Sequence, residues 1–296
     1  MAILLFDKSR LRKKDLVNNR FCLPKSRYHI QLPEHVKIPK IRCVIVKSYY
    51  EKVKVTISYE KDVTQKKLDS GKFLGIDLGV ENIVSMTTDN GTGKSWIVKG
   101  GAVKSINQFY NKRLAELKSV LEKANGKKTS RRIRRMGMKR ANKLDYEFHC
   151  ISKTIVRICL ENDIGNIVVG HNKNWKQETG MGRKCNQKFV SIPFNDLIWK
   201  IRYKAEEAGI RFVETEEGYT SKVDHCVGEE MRHQENYLGK RTRRGLFESS
   251  SGKILNADIN GAIGILRKAN ALRDSDLVGL PDRGDVVSPK VLRYKL

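Results

Sequence analysis

The segment Phe73-Leu-Gly-Ile-Asp-Leu-Gly-Val-Glu-Asn-Ile-Val84 is the most informative part of this 296-residue chain for its fold class. It predicts an apolar strand that carries Asp77, then Gly79, then a second apolar strand that returns as a hairpin. An acid within an apolar run is costly to bury unless it is paired or holds a metal ion. The alternative interpretation is a buried aspartate that only caps a turn.

A second acid occupies a comparable position in Leu255-Asn-Ala-Asp-Ile-Asn-Gly-Ala262. The apolar residues that follow recur at the spacing of one helix face, so Asp258 is expected in the first turn of a helix. An N-cap role for Asp258 is the competing interpretation. Two such acids in one chain call for a cation or a charged partner.

These two segments resemble the TnpB/OrfB family of transposon-encoded RNA-guided nucleases, relatives of the compact type V CRISPR effectors. The resemblance runs from about residue 38 to residue 268, and further motifs in the family's order make it more specific than either acidic segment. Those motifs are Asn172-Lys-Asn-Trp-Lys-Gln177, Asn186-Gln-Lys-Phe189, Ile192-Pro-Phe194, Tyr203-Lys-Ala-Glu-Glu207, Glu216-Glu-Gly-Tyr-Thr-Ser-Lys222 and Arg244-Gly-Leu-Phe247.

The resemblance implies an α/β fold: an RNase H-like (RuvC) mixed sheet with an inserted helical pair, preceded by a partial wedge-like β-barrel. The expected boundaries are 1–70 for the partial wedge-like β segment, 71–271 for the nuclease domain with its helical insertion at 103–165, and 272–296 for an irregular tail. Residues 28–62 carry apolar residues at every second position, as short strands do. Family members have a much longer region before the first aspartate, so most of the barrel and the helical recognition domain ahead of it are expected to be missing.

The middle catalytic glutamate of the family departs from its usual position. Most members carry it at the end of the fourth strand, here Asn166–Val169, but the next residue is Gly170. Adjacent strands lie about 4.8 Å apart, so an acid at the end of a neighbouring strand can point into the same pocket. The next predicted strand ends at Glu216 and Glu217, of which strand periodicity lets one face the pocket. Glu217 is favoured because it lies three residues before Thr220, as in a subset of the family, and Glu216 is the alternative.

The resemblance implies that Asp77, Glu217 and Asp258 are the catalytic residues and the metal ligands. Phosphodiester hydrolysis by paired metals uses two cations about 3.5–4 Å apart, and Mg²⁺ is usually held by a few carboxylates and the substrate phosphate. The expected function is therefore RNA-guided, Mg²⁺-dependent DNA cleavage for a transposable element, with two Mg²⁺ ions as cofactors. The alternatives are a nuclease-inactive RNA-guided DNA-binding protein, a decayed transposon remnant, and a strand-joining transposase on the same fold.

The composition agrees with a nucleic-acid partner, since the formal net charge is +26 and basic residues are spread along the whole chain. Such a charge would also suit a ribosomal protein. The implied partners are a guide RNA from the transposon end and the target DNA. The densest basic block, Lys127–Arg140, divides two helical patterns and is expected to neutralise phosphates of a guide–target heteroduplex, unless it is a solvated loop.

Twelve residues are predicted to contact nucleic acid: Arg131, Arg132, Arg134, Arg135, Lys139, Arg140, Lys173, Trp175, Lys176, Thr220, Ser221 and Lys222. Trp175 among lysines suits stacking on a base or sugar, although an aromatic loop anchor is an equal alternative. The hydroxyl of Thr220 can instead satisfy a turn.

The cysteine spacing argues against zinc. The chain has six cysteines and no Cys-x-x-Cys pair, whereas many relatives have a four-cysteine zinc ribbon before the last aspartate. In this chain the only histidines and cysteines in that region are His225, Cys226 and His233. Structural zinc normally takes four ligands, so no zinc is expected. No signal peptide or long apolar run is evident, which predicts a cytoplasmic protein with no membrane partner.

Overall fold

The computed structural model describes residues 3–7, 20–22, 27–31, 40–60, 65–89, 94–171, 190–272 and 284–294. The chain divides into two compact units: Met1–Thr64 with Lys112–Ala141, and Gln65–Asn111 with Asn142–Leu296. The sequence places a boundary near residue 70, whereas in the structure the outer half of the helical pair clusters with the first unit.

Short antiparallel strands make up the β structure of the first unit. They are β1 (Ile3–Asp7), β2 (Arg20–Cys22), β3 (His29–Gln31), β4 (Lys40–Tyr49) and β5 (Lys52–Glu60). One sheet has the order β1-β4-β5 and a second consists of β2 and β3. The small apolar cluster of the first unit includes Val44 and Val46 of β4 and Val55 and Ile57 of β5, which explains the two-residue periodicity of this region. The wedge-like assignment stays a prediction.

The remaining elements are β6 (Asp69–Leu78), β7 (Asn82–Thr88), β8 (Ser95–Lys99), α1 (Gly101–Asn125), α2 (Arg131–Glu161), β9 (Ile164–Gly170), α3 (Phe194–Glu207), β10 (Arg211–Thr215), β11 (Lys240–Arg243), β12 (Leu246–Glu248), β13 (Ile254–Asn256), α4 (Ala257–Lys268), α5 (Gly284–Val287) and β14 (Lys290–Leu292). The main sheet has the order β10-β9-β6-β7-β8-β14. β6, β7 and β8 are antiparallel neighbours, while β9 runs parallel to β6 and β10 parallel to β9. The predicted α/β class with a mixed sheet is confirmed.

Both faces of the main sheet are covered, so its central strands read as nearly continuous apolar runs. Ile167 and Val169 of β9 pack into a cluster with α2 and α3, whereas Val168 packs with α4 on the opposite face. The same alternation in β6 directs Leu74 and Ile76 toward the first cluster. The face of the sheet that α4 covers is the one that carries the candidate site.

The basic block divides the two long helices only in part, because residues 127–130 lie between them. Most of it belongs to α2, which begins at Arg131. The hydroxyl oxygen of Ser130 accepts a hydrogen bond from the backbone nitrogen of Ile133 at 3.3 Å, and Ile133 is buried. Ser130 thus satisfies one of the free backbone donors at the start of α2, and arginine is itself a good helix former.

The tail, predicted to be irregular across 272–296, contains α5 and β14. β14 extends the main sheet by pairing in parallel with β8, and Val286 of α5 is fully buried. Segments of three or four residues are too short for a periodic pattern, so their order depends on the sheet edge that they meet. No helix among the described residues is long and apolar enough to cross a membrane.

Candidate functional site

Asp77 is the penultimate residue of β6 and faces α4. A Cβ atom added to Gly261 of α4 would lie 2.8 Å from Asp77 Oδ2, so a side chain at that position would require the carboxylate to shift. Asp77 itself is partly buried between the sheet and the helix. The apolar strand and the close helix together account for an acid held away from bulk water.

Asp258 lies in the first turn of α4, as predicted, but it is not the N-cap. Asn256 caps the helix, and its Oδ1 accepts hydrogen bonds from the backbone nitrogens of Asp258 at 3.1 Å and Ile259 at 3.3 Å. The carboxylate of Asp258 instead accepts a hydrogen bond from Asn82, with 2.6 Å between Nδ2 and Oδ2. The positive end of the helix dipole stabilises an acid in this turn.

Asp77 and Asp258 form an electrostatically strained pair. Burial and, after it, the nearby carboxylate of Asp258 raise the pKa of Asp77 to about 7, although the exposed guanidinium of Arg241 opposes both effects. Two carboxylates of like charge at a partly dehydrated place are stabilised by a cation that binds both. Oxygen donors of this kind are those that Mg²⁺ prefers, so the pair fits a divalent cation.

Glu217 lies where a side chain on Gly170 would lie. Ile76 of β6 pairs with Val169 of β9, so Gly170 is level with Asp77 on the neighbouring strand. A Cβ atom added to Gly170 would come within 2.6 Å of Glu217 Cγ and 2.7 Å of Glu217 Oε1. Glu216 is exposed, whereas Glu217 is partly buried.

A chain of hydrogen bonds supports the turn that carries Glu217. The backbone nitrogen and the hydroxyl of Thr220 both donate to the Glu217 carbonyl oxygen, at 3.2 and 2.9 Å. His225 Nε2 donates to the Thr220 carbonyl oxygen at 2.7 Å, and Arg267 donates to His225 Nδ1 at 2.9 Å. Burial, with Arg267 adding to it, lowers the pKa of His225 to about 4, so the imidazole is neutral.

From the sequence, His225 was a candidate only for zinc binding, and Arg267 was not a candidate for any role. Thr220 is buried, and its hydroxyl donates a hydrogen bond within the turn. These contacts agree with the alternative interpretation that the Thr220 hydroxyl satisfies a turn. A polar histidine close to the Thr-Ser-Lys motif was the available signal, but its partner lies 42 residues away on α4.

The three acids share one face of α4 without converging on one point. Asp77 lies against Gly261 and Glu217 lies close to Ile265, since the added Cβ of Gly170 would touch both. Gly261 and Ile265 are four residues apart on α4, which corresponds to about 6 Å along the helix axis. Within the described ranges, no three His, Cys, Asp or Glu side chains are gathered closely enough to hold a metal ion.

The basic residues of α2 are largely accessible to solvent. Arg131, Arg132, Arg134, Arg135 and Lys139 are exposed, and Arg140 is partly buried. Glu51 lies 3.7 Å from the Nε atom of Arg134 and 3.8 Å from that of Arg135, which neutralises part of this charge. Surface ion pairs of this length contribute little to stability, so most of the block remains available to a polyanion.

The other predicted nucleic-acid contacts have different outcomes. Ser221 and Lys222 are exposed beside the Glu217 turn. Lys173, Trp175 and Lys176 lie outside the described residues, so their predicted roles stay predictions.

Two buried acids hold the region where relatives carry a zinc ribbon. Asp224 Oδ2 accepts hydrogen bonds from the Ser249 hydroxyl at 2.8 Å and the Ser250 backbone nitrogen at 2.7 Å. Glu229 accepts from the backbone nitrogens of Asp224 at 2.6 Å and Leu238 at 2.8 Å. Each charge-assisted bond of this kind contributes about 1.5–3 kcal/mol, so these contacts tie the segment between β10 and β13 together.

Two family models match the chain: OrfB_IS605, described as "Probable transposase", over residues 56–176, and the Cas12f1-like TNB domain over residues 194–265. The TnpB-like protein ORF457 of Acidianus two-tailed virus is 27% identical over 71% of this chain and 44% of its own length. The CRISPR-associated endodeoxyribonuclease Cas12f1 of Sulfoacidibacillus thermotolerans is 28% identical over 70% of this chain and 48% of its own length. The chain thus spans less than half the length of these curated relatives.

Among solved structures, a Cas12f1–sgRNA–target DNA complex matches 76% of this chain and 45% of its own, with a TM-score of 0.58 and 17% identity. A CRISPR-Cas12f ternary complex matches the same shares with a TM-score of 0.50 and 14% identity. At such identities these likenesses establish the fold. The two family models and the curated relatives make this chain similar to TnpB-like and Cas12f1 proteins, in line with the motifs of the sequence.

Proposed function

We propose that this chain is an RNA-guided, Mg²⁺-dependent DNA endonuclease associated with a transposable element. The observation that carries the proposal is the position of the Glu217 carboxyl group, which fills the side-chain space of Gly170 beside the Asp77–Asp258 pair. An acid displaced from one strand is thereby replaced by an acid from the next.

The strand order supports an RNase H-like layout for the proposed nuclease domain. Three antiparallel neighbours, β8-β7-β6, continue into the parallel strands β9 and β10, and α1 and α2 lie between β8 and β9 in the sequence. In this layout the first strand carries the first acid and the last helix carries the last acid. Asp77 on β6 and Asp258 on α4 have those positions.

Asp77, Asp258 and Glu217 would hold the metal ions. When bound, Mg²⁺ supplies Lewis-acid activation of the phosphate and of the attacking water. The chain's own contribution is to keep two acids partly dehydrated, where their interaction with a cation is stronger than in water. Arg241 brings a positive charge to the same place, which attracts the phosphate backbone of the substrate.

A guide RNA and a target DNA are the proposed partners. The names of the related Cas12f1 structures include sgRNA and target DNA, and the charge of +26 supports polyanion binding here. All four residues of β11, Lys240–Arg243, are exposed, so this basic strand can meet a phosphate backbone. Binding to nucleic acid is accordingly expected to weaken steeply with salt.

The test is cleavage of labelled single- and double-stranded DNA by protein co-expressed with its flanking transposon RNA, in Mg²⁺ and in EDTA. Asp77→Ala and Glu217→Ala are expected to lose more activity than the roughly 10–100-fold lost when a residue that only hydrogen-bonds to a metal ligand is replaced. Glu216→Ala is the matched control and is expected to cut normally. Cutting that survives Asp77→Ala, or equal undiminished cutting by both glutamate variants, would contradict the proposal.

A nuclease-inactive RNA-guided DNA-binding protein is the second candidate. It is favoured by the observation that no three acids of the described residues gather about one point. This alternative predicts that RNA co-purifies and DNA binds, while Mg²⁺ gives no product and Asp77→Ala changes nothing.

A further inference from the structure

One amide links the first strand pair to the last acid of the site. Asn82, the first residue of β7, donates from Nδ2 to Asp258 Oδ2 at 2.6 Å, across 176 residues of sequence. Lys99, the last residue of β8, donates from Nζ to Asn82 Oδ1 at 3.0 Å. The three side chains form an ordered series from a cation through an amide to a carboxylate.

The order of this series fixes which way the amide points. A lysine ammonium group is a donor only, so it faces the amide oxygen of Asn82 and turns the amide nitrogen toward Asp258. A carboxylate accepts but cannot donate, so the reversed amide would be unfavourable at both ends. A hydrogen bond of this kind, to an ionised acceptor, is about twice as strong as a neutral one.

The turn before Asn82 is itself anchored. The carboxylate of Glu81 forms ion pairs with Lys104 and with Arg244, the latter at 2.6 Å, and Lys104 is the main cause that lowers the pKa of Glu81. The Glu81 carbonyl oxygen also accepts a hydrogen bond from the backbone nitrogen of Gly100 at 2.8 Å. Asn82 is therefore presented from a fixed backbone, so its contact with Asp258 is preorganised.

We propose that Asn82, oriented by Lys99, is a positioning residue that fixes the Asp258 carboxylate for metal binding. One oxygen of Asp258 is engaged by the amide, which sets the rotation of the carboxylate and directs its other oxygen. Outer partners that orient metal ligands in this way typically contribute 10–100-fold to metal affinity. The inference rests on the proposed function, because it assumes that Asp258 is a metal ligand.

Lys99 allows a sharp test, because two explanations predict opposite signs. If Lys99 only adds positive charge near the site, its removal will strengthen the binding of a divalent cation. If it orients Asn82, its removal will weaken that binding. Lys99 is exposed, so replacing it leaves the core intact.

The experiment measures Mn²⁺ binding to the full chain, free of nucleic acid, by the electron paramagnetic resonance signal of unbound Mn²⁺. Mn²⁺ prefers the same oxygen ligands as Mg²⁺. Asn82→Ala and Lys99→Met are each expected to weaken Mn²⁺ binding by about 10-fold or more. Lys99→Arg is expected to weaken it less than Lys99→Met does, because arginine keeps a donor group. The Mg²⁺ concentration that gives half of the maximal DNA cleavage rate should rise in Asn82→Ala and in Lys99→Met, and should rise less in Lys99→Arg.

Lys94→Met is the matched control, since Lys94 Nζ makes the same 3.0 Å contact with an asparagine oxygen, that of Asn162, away from the acids. It is expected to bind Mn²⁺ as the wild type does. Wild-type binding by Asn82→Ala, or tighter binding by Lys99→Met, overturns the positioning role. If Asn82→Ala does not fold, Lys99→Met decides. Wild-type binding that is unchanged in Asp258→Ala would instead refute the metal site of the proposed function.

Discussion

Replacing Asp77 with asparagine is expected to stabilise the metal-free protein. Burial, with the charge of Asp258 adding to it, raises the pKa of Asp77 from 3.8 to about 7, so the folded state binds this proton more tightly than the unfolded state does. The stability from this proton is fully present below pH 3.8 and is lost as the pH rises through about 7. Asparagine has a similar shape and no charge, so Asp77→Asn lacks this loss.

The size of the effect follows from the shift. A difference of about 3 pKa units corresponds to about 4 kcal/mol at 1.4 kcal/mol per unit, which is an upper bound for a partly buried group. We expect Asp77→Asn to raise the free energy of unfolding at pH 8 in EDTA by about 2 kcal/mol, or about 4–8 °C in the midpoint of thermal unfolding. At pH 4 the two proteins should be nearly equal.

The assay is thermal and urea unfolding of both proteins in EDTA from pH 4 to pH 8. Asp69→Asn is the control for the same chemical change, because Asp69 is exposed at the start of the same strand. Added Mg²⁺ should restore stability to the wild type and not to Asp77→Asn. An Asp77→Asn protein that is no more stable than the wild type at pH 8, or equally stabilised at both pH values, would show that the Asp77 charge does not destabilise the metal-free fold.

Two further predictions concern Glu217 and its support. Gly170→Ala should reduce cleavage, because the new Cβ would lie 2.7 Å from Glu217 Oε1. Adding Gly170→Glu to the Glu217→Ala variant should restore part of its cleavage rate. Initial cleavage rates with Mg²⁺ measure both effects, and normal cutting by Gly170→Ala would contradict the geometry. Arg267→Met should raise the pKa of His225 above about 4, because the charge of Arg267 adds to the burial that lowers this pKa. An NMR titration of the imidazole measures the change. An unchanged pKa would show that the charge of Arg267 does not affect His225.

The local patterns of the sequence were enough for the main elements. The run around Asp77 predicts a strand and its hairpin return, and the spacing after Asp258 predicts α4, because each buried element repeats its apolar residues with its own period. Periodicity records which face of an element is buried and not which element covers it. It therefore missed β14, whose few residues become a strand only because the edge of β8 accepts them.

Residue types and short spacings were sufficient to predict the α/β class, the basic charge and the two aspartates. Tertiary structure alone decided the contacts between distant segments: Asn82 with Asp258, His225 with Arg267, and the Glu217 carboxyl in the space of Gly170. Such contacts depend on angstrom-scale approach between side chains 42 to 176 residues apart in the chain. No local period carries that information, because it arises only when the sheet and α4 pack together.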